Sequence, residues 1–391
     1  ECKSKNPTNI RTKYNRMKLN ILSLSLVMAL EPTTALQNLF SGWGNDKNPL
    51  SSIVSSSSQP SPMRERVDLG TLSVSPMGLG TLNLPIDKEV DEETTGVMKM
   101  VKECGVNFVD TAEAYGFGKS ESLLQNACNS AGLSIGTQVD DPNFIVAATK
   151  FAPVPWRTES QTVVDACKAS ASRLGVEQIP LYQIHFPDII QPFKAFGREN
   201  RKDELYWEGL AECYNSGLAA NIGVSNYGPE TLLRAQEALS KKGVPIVSNQ
   251  INLSLMRYRS SEKTLQVCED LGIKVLSYFP LANGLLAGKY SVDTPPSFPK
   301  SITMKKYYED AEPVLKIMRR IAAEKEKTVA QVAINWVMCK DAIPIPGARS
   351  VTMAKDNFGA MGWALSPDEV AELEVAASAV GEFSNGGFEL V

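Results

Sequence analysis

Between residues 77 and 346, short apolar runs alternate with helical patterns eight times, and this constrains the fold more than any other feature of the chain. The runs are Met77–Gly80, Val106–Asp110, Phe144–Lys150, Leu181–Phe186, Ala220–Ser225, Ile246–Gln250, Lys274–Tyr278 and Ala342–Pro346. Most are continuously apolar, as strands covered on both faces must be, so the sheet is expected to be parallel with helical crossovers. Helical periodicity fills the gaps at Glu92–Cys104, Ser120–Asn129, Glu159–Leu174, Lys202–Ser216, Pro229–Ser240 and Ser261–Leu271. Further helices fit Glu309–Glu326, Val329–Met338 and Pro367–Ala379. Eight such steps predict an α/β fold, a closed (β/α)8 barrel with extra C-terminal helices. Arg66–Ser75 alternates around Gly70 and predicts a small N-terminal β-hairpin. Asn283–Tyr308, which contains Gly and Pro, is expected to form a long loop over the barrel mouth.

Residues 1–63 read differently from the barrel at 64–391. The first methionine is Met17, followed by Lys18, an apolar run at 19–30 and small residues at 33 and 35. Residues 36–62 are rich in Ser, Asn and Pro, with Asp46 the only acid, a composition that cannot pack a core. The pattern suggests a secretory signal followed by a transit peptide, hence a plastid address; without such a leader the protein would be cytoplasmic. The apolar run is short for a bilayer span, so no membrane association is expected of the mature form. A net charge of −4 with scattered cations gives no basic stripe for nucleic acid. Seven cysteines, an odd number with no CxxC pair, indicate free thiols in a reducing compartment. With one histidine in the chain, no metal site is expected.

Strand ends are where a parallel barrel places its chemistry, and three successive runs here end on reactive groups. Asp110 ends the second run, with Tyr115 shortly after it, Lys150 ends the third, and the sole histidine, His185, lies at the end of the fourth. Singly, each has an ordinary explanation: a helix cap, loop packing, a solvated strand end, a satisfied core histidine. Together they suit proton donation to an alkoxide forming during hydride transfer to a carbonyl. A phenol near pKa 10 is a poor acid at neutral pH unless its phenolate is stabilised, and a neighbouring ammonium does that. A carboxylate keeps the ammonium charged, and a neutral imidazole can hydrogen-bond the carbonyl oxygen. Gly78-Leu-Gly80 is only part of a dinucleotide fingerprint and opens no helix, so a Rossmann reading is rejected.

The stretches Asn107-Phe-Val-Asp-Thr-Ala-Glu-Ala-Tyr-Gly116, Ala147-Ala-Thr-Lys150, Tyr182-Gln-Ile-His-Phe-Pro187 and Ile222-Gly-Val-Ser-Asn226 resemble the aldo-keto reductases. The likeness continues through Ser248-Asn-Gln250, Pro280–Tyr290 and Ile345-Pro-Gly-Ala-Arg349. Phe151-Ala-Pro-Val-Pro-Trp-Arg157 is similar to the plant and cyanobacterial branch that includes pyridoxal reductases. The resemblance implies a TIM barrel that binds NADP(H) across its mouth and reduces aldehydes or ketones. Tyr115 would be the general acid, Lys150 and Asp110 would lower its pKa, and His185 would orient the carbonyl. Ser225, Asn226 and Gln250 match positions that hold the nicotinamide amide, and Tyr278 the ring that stacks on it. Leu281 and Lys289 match the loop over the diphosphate, while Gly347, Arg349, Asp356 and Asn357 match the adenosine and 2′-phosphate end. Gly80 and Thr81 would floor the site beside Asp110.

Two positions depart from the family pattern: Phe279 stands where a small serine is common, and Met353 where Gln or Arg is common. Trp156, Phe186 and Phe279 are expected around the substrate, a small carbonyl compound, and Arg157 is a candidate for meeting an anionic group on it. Two other readings fit the same fold: a non-catalytic NADP(H)-sensing subunit, as in potassium-channel beta subunits, and an NAD-dependent sugar dehydrogenase.

Overall fold

The computed structural model describes residues 60–85, 90–137, 141–189, 201–291, 294 and 300–381. Nearly all of the expected leader therefore lies outside the described residues. At the start of the described chain, a 3-10 turn at Ser61–Met63 buries Ser61 and Pro62, and Gly362 donates its N–H to the Pro62 carbonyl at 3.0 Å. The hairpin forms as expected: β1 (Val67–Leu69) and β2 (Leu72–Val74) pair antiparallel around Gly70, which turns at φ +65°. Its Val67, Leu69, Leu72 and Val74 pack with Phe108, Val146, Leu181, Val247, Leu276 and Ile343, plugging the barrel interior.

The barrel strands follow as β3 (Leu79–Gly80), β4 (Phe108–Asp110), β6 (Phe144–Phe151), β7 (Ile179–Ile184), β8 (Ala219–Ser225), β9 (Ile246–Asn252), β10 (Lys274–Tyr278) and β11 (Ile343–Pro344). All eight coincide with the apolar runs, and each pairs in parallel with its neighbour in chain order. A further short strand, β5 (Ser134–Ile135), pairs with the start of β6 and was not legible as a strand. The two ends of the sheet meet. Gly78 donates to the Pro344 carbonyl at 2.9 Å, Gly80 to Pro346 at 3.1 Å, and Gly80 bridges Gly347 in parallel. A Cβ at Gly80 would lie 2.8 Å from the Ile345 carbonyl oxygen, so only glycine permits this closure.

The helices are α1 (Glu92–Glu103), α2 (Lys119–Ser130), α3 (Gln161–Leu174), α4 (Asp203–Asn215), α5 (Pro229–Ser240), α6 (Tyr258–Asp270), α7 (Lys300–Glu324), α8 (Val329–Cys339), α9 (Val351–Phe358) and α10 (Pro367–Ser378). Their starts follow local rules. Asp91 accepts from the Thr94 N–H at 2.8 Å, and Thr328 and Ser366 head capping boxes with Gln331 and Glu369. Between helices and strands, side chains such as Val163, Leu210, Leu232 and Trp336 pack on Ile184, Ile222, Val224 and Ile251. No described helix is long and apolar enough to cross a membrane.

Two features correct the expectation from sequence. The mouth loop after β10 is shorter than Asn283–Tyr308, because a 3-10 segment spans Ala282–Ala287 and α7 begins at Lys300. The first turns of α7 carry no clear apolar period, so they read as loop. Helix α9 was also unforeseen. Its eight residues are too few to show a period, and Ser350 nucleates it by accepting from the Met353 N–H at 3.2 Å.

Candidate active site

Asp110 ends β4 and is buried, and each oxygen of its carboxylate takes one strong donor. Lys150 Nζ, from the adjacent strand β6, donates to Oδ2 at 2.6 Å, and Gln250 Nε2, from β9, donates to Oδ1 at 2.7 Å. Lys150 also donates to the Thr111 carbonyl at 2.7 Å and reaches the Tyr115 hydroxyl at 3.4 Å. The ammonium is fully buried, so its bonds are strong and its loss would be costly. Burial pulls the Lys150 pKa down, but the carboxylate of Asp110 outweighs it and holds the amine above its ordinary 10.5. Asp110 itself is raised by burial, with Lys150 offsetting part of that.

Tyr115 stands in the turn after β4, its ring edge-on to His185 at 5.6 Å between centroids. Burial pushes its phenol above the ordinary value of 10, and Lys150 pulls it back only in part. Asp110 acts on the tyrosine in the direction opposite to the expectation: its charge raises the phenol, and its contribution is to keep Lys150 protonated. The phenol is thus protonated at neutral pH. His185 follows β7; its N–H donates to the Phe151 carbonyl at 2.8 Å and its own carbonyl accepts from Asn226 Nδ2 at 3.0 Å. Burial first, and then the Lys150 charge, hold its pKa well below 6.5, so the imidazole is neutral. Nδ1 of the ring has no hydrogen-bond partner among the described residues.

A second network lies across the ends of β8, β9 and β10. Asn226, at φ +63°, donates through Nδ2 to the Ser225 Oγ at 3.0 Å as well as to His185, and its Oδ1 accepts from the Tyr278 hydroxyl at 2.7 Å. Ser225 Oγ donates to the Gln250 carbonyl at 2.8 Å. Asparagine tolerates the left-handed backbone that this crossing of strand end and loop demands. The network brings Ser225, Asn226, Gln250 and Tyr278 together beside the tetrad, with the amide groups of Asn226 and Gln250 engaged by protein partners. Thr81, next to Gly80 at the end of β3, donates its N–H to the Asp110 carbonyl at 2.9 Å and shares a hydroxyl contact of 2.9 Å with Ser120.

The outer positions are more dispersed. Arg349 and Lys289 are exposed, and neither forms an ion pair with a described carboxylate; Lys289 lies over the Tyr290 ring at 5.3 Å. Leu281 is half-buried against the core, and Asn357 donates to the Gly347 carbonyl at 3.3 Å. Asp356 instead turns toward the start of α8, accepting from Thr328 Oγ1 at 3.1 Å and Gln331 Nε2 at 3.3 Å. It ties α9 to α8. Met353 is exposed at 40 % in the first turn of α9. Two exposed cations without ion-pair partners among the described residues suit a polyanionic ligand such as a dinucleotide, and Gly347 packs close to Asn83, where a Cβ would come 3.0 Å from Nδ2.

Of the aromatic positions, Trp156 is exposed at 78 %, whereas Phe186 is buried at 7 % and packs its ring on His185 at 5.5 Å. Phe279, at φ +52°, sets its ring edge-on to Tyr278 at 5.1 Å. Arg157 is committed elsewhere than to a substrate anion: its two terminal guanidinium nitrogens both donate to Glu113, Nη2 at 3.1 Å. Sequence reasoning missed this pair and also Phe117, which is 87 % exposed two residues after Tyr115. The signal for Phe117 was its place in Gly116-Phe-Gly118, a tripeptide that invites a left-handed turn. Among the described residues no cluster of His, Cys, Asp or Glu suits a metal ion.

Residues 76–377 match the model of the aldo/keto reductase family. The chain is 38 % identical over 324 residues to the chloroplastic pyridoxal reductase of Arabidopsis thaliana, covering 80 % of this chain and 86 % of that protein. It is 33 % identical over 330 residues to an uncharacterized oxidoreductase of Mycobacterium tuberculosis, covering 82 % and 94 %. Among solved structures, the glycerol dehydrogenase of Gluconobacter oxydans aligns with a TM-score of 0.66 at 23 % identity, covering 81 % of this chain and 96 % of that one. An aldo/keto reductase of Klebsiella pneumoniae, in complex with NADP and acetate, aligns at 0.58 and 21 % identity, covering 78 % and 91 %. At these identities the structural likeness establishes the barrel.

Proposed function

The chain belongs to the aldo/keto reductase family, and from that premise we propose that it reduces aldehydes and ketones to alcohols using NADPH. The observation that carries the reading is Lys150 Nζ, held 2.6 Å from Asp110 and 3.4 Å from the Tyr115 hydroxyl, fully buried. That arrangement makes a proton donor whose conjugate base has a fixed positive charge beside it. NADPH supplies the hydride when bound.

Within this reading each side chain has one task. Neutral His185 hydrogen-bonds the carbonyl oxygen and orients the bond to be reduced. As negative charge grows on that oxygen, Tyr115 transfers its phenolic proton to it, completing the alcohol. Lys150 stabilises the phenolate left behind, and Asp110 keeps Lys150 charged. Ser225, Asn226 and Gln250 would hold the carboxamide of the nicotinamide, and Tyr278 would face its ring. Lys289 meets the diphosphate and Arg349 the 2′-phosphate, for which a guanidinium is well matched. The substrate class favoured by the rim is an aromatic aldehyde, pyridoxal among them, given the likeness to a pyridoxal reductase. Residues 17 to about 63 are proposed to act as a plastid leader, in keeping with that chloroplastic relative. Cytosolic fluorescence from a fusion of those residues in an algal host would refute the leader.

The test of the chemistry is Tyr115→Phe. It removes the donor and keeps the ring, so NADPH binding should persist while kcat falls by ~10²–10⁴-fold. A variant with near wild-type kcat would remove Tyr115 from the mechanism.

A further inference from the structure

Phe117 sits where neither backbone nor packing calls for a large side chain. Gly116, Phe117 and Gly118 are three consecutive left-handed residues, at φ +61°, +57° and +86°. Glycine adopts that backbone freely, whereas phenylalanine is strained in it. Burial does not compensate, because the ring is 87 % exposed. Trp156 shares the exposure but not the left-handed backbone, standing 78 % exposed on the loop after β6. These are the only exposed Phe and Trp side chains among the described residues, and both rise from the C-terminal mouth of the barrel on loops that follow neighbouring strands.

The two loops are tied to each other at their bases. Glu113, two residues before Tyr115, accepts from both terminal nitrogens of the Arg157 guanidinium and from the Ala152 N–H at 2.7 Å. Arg157 immediately follows Trp156. Its guanidinium lies 4.6 Å over the Phe151 ring and its carbonyl accepts from the Tyr206 hydroxyl at 2.8 Å. A bidentate pair with side-chain exposures of 25 % and 11 % is a geometric lock as well as an attraction. The bases of both loops are therefore rigid relative to Tyr115, while their tips carry unpartnered rings.

We propose that Phe117 and Trp156 form a two-walled subsite that takes the flat ring of an aromatic carbonyl substrate and presents its aldehyde carbon to Tyr115. This rests on the reductase reading above and names the selecting residues within it. Strained, exposed residues persist at sites where they serve a ligand, and two exposed aromatic rings are suited to offset stacking on a third. Phe186, buried against His185, takes no part in the selection.

The experiment compares benzaldehyde with propanal, with NADPH, in the full chain and in Phe117→Gly, Phe117→Asn, Phe117→Tyr and Trp156→Ala. Stacking on one aromatic is worth about a 2- to 12-fold change in kcat/KM. Phe117→Gly and Phe117→Asn should lower kcat/KM for benzaldehyde by that factor, with propanal moving less than twofold. Phe117→Tyr should retain the wild-type preference. The melting temperature of Phe117→Gly should not fall, because the exchange relieves a left-handed phenylalanine and removes no packing. In parallel, benzyl alcohol is titrated against intrinsic fluorescence, with the Trp156→Ala variant identifying the signal of Trp156. Quenching that weakens in Phe117→Gly supports the subsite independently of turnover. If wild type reduced neither aldehyde, the reductase reading would fall while this titration still decided the subsite. The proposal is overturned if benzaldehyde and propanal decline together, if benzaldehyde is unaffected, or if benzyl alcohol leaves Trp156 emission unchanged.

Discussion

Asp110, Lys150 and Gln250 come from three strands and meet on one buried carboxylate, whereas Phe117, Trp156, Lys289 and Arg349 stand exposed on loops around the same mouth. In the first group every charge has a partner within 2.7 Å, so position and protonation are set before any ligand arrives. In the second group the side chains are exposed, and the two cations have no ion pair with a described carboxylate. The difference separates two kinds of constraint. A change in the floor leaves a buried ion unpaired and costs both stability and chemistry. A change on the rim is expected to alter binding and to leave the fold nearly untouched.

The largest effect that would sharpen this contrast is expected from Lys150→Met. Removing the ammonium leaves Asp110 buried with Gln250 alone, and breaking a buried pair typically costs roughly 3–5 kcal/mol. Urea unfolding should show a loss of that order, and kcat should fall by about 10²-fold or more as the phenolate loses its counter-charge. A variant as stable as wild type would mean that the floor is no more constrained than the rim.

Arg349→Ala addresses the rim. A hydrogen bond to a charged group contributes roughly 1.5–3 kcal/mol, so NADPH affinity should weaken by about ten- to a hundredfold. NADH affinity and the melting temperature should both stay where they are. Equal weakening of the two cofactors would show that Arg349 acts on something other than the 2′-phosphate, and a large drop in melting temperature would erase the contrast.

The smallest effect expected is in the pH dependence, where the floor predicts none across the neutral range. His185, lowered well below 6.5, gains its proton only in acid. Tyr115, raised above 10, loses its proton only in strong alkali, so the donor form is present at lower pH and is lost as pH rises through that value. Lys150, also raised, contributes ion-pair stability that is fully present below 10.5 and lost as pH climbs through its higher folded value. The rate of carbonyl reduction measured at saturating NADPH should therefore vary less than about twofold between pH 6 and 9. An inflection near 6.5 that disappears in His185→Gln would show that the imidazole is not held neutral.

Much of this molecule follows from local pattern. The eight apolar runs became the eight barrel strands because continuous hydrophobicity over a few residues, bounded by helical periods, leaves a parallel sheet as the stable arrangement. Asp110, Tyr115, Lys150 and His185 were legible because strand ends converge in a barrel, so residues adjacent to three runs had to become neighbours. The hairpin at Val67–Val74 was equally plain, since alternation around a glycine is a local signal.

Other features depended on contacts that no local pattern encodes. Gln250 reaches Asp110 across 140 positions because the barrel closes with one particular register, and that closure depends on Gly80 lying against the Ile345 carbonyl. Arg157 reads in the sequence as a free cation available to a substrate, and only the fold turns it onto Glu113, 44 positions away. Asp356 likewise was committed by packing, to Thr328 and Gln331. The exposed Phe117, held at φ +57°, became visible only in three dimensions, because composition says nothing of which aromatic is left uncovered. Chain periodicity thus determined the elements and the order in which they meet. Tertiary structure decided which charges are neutralised and which rings remain exposed, because both depend on distances between residues far apart in the chain.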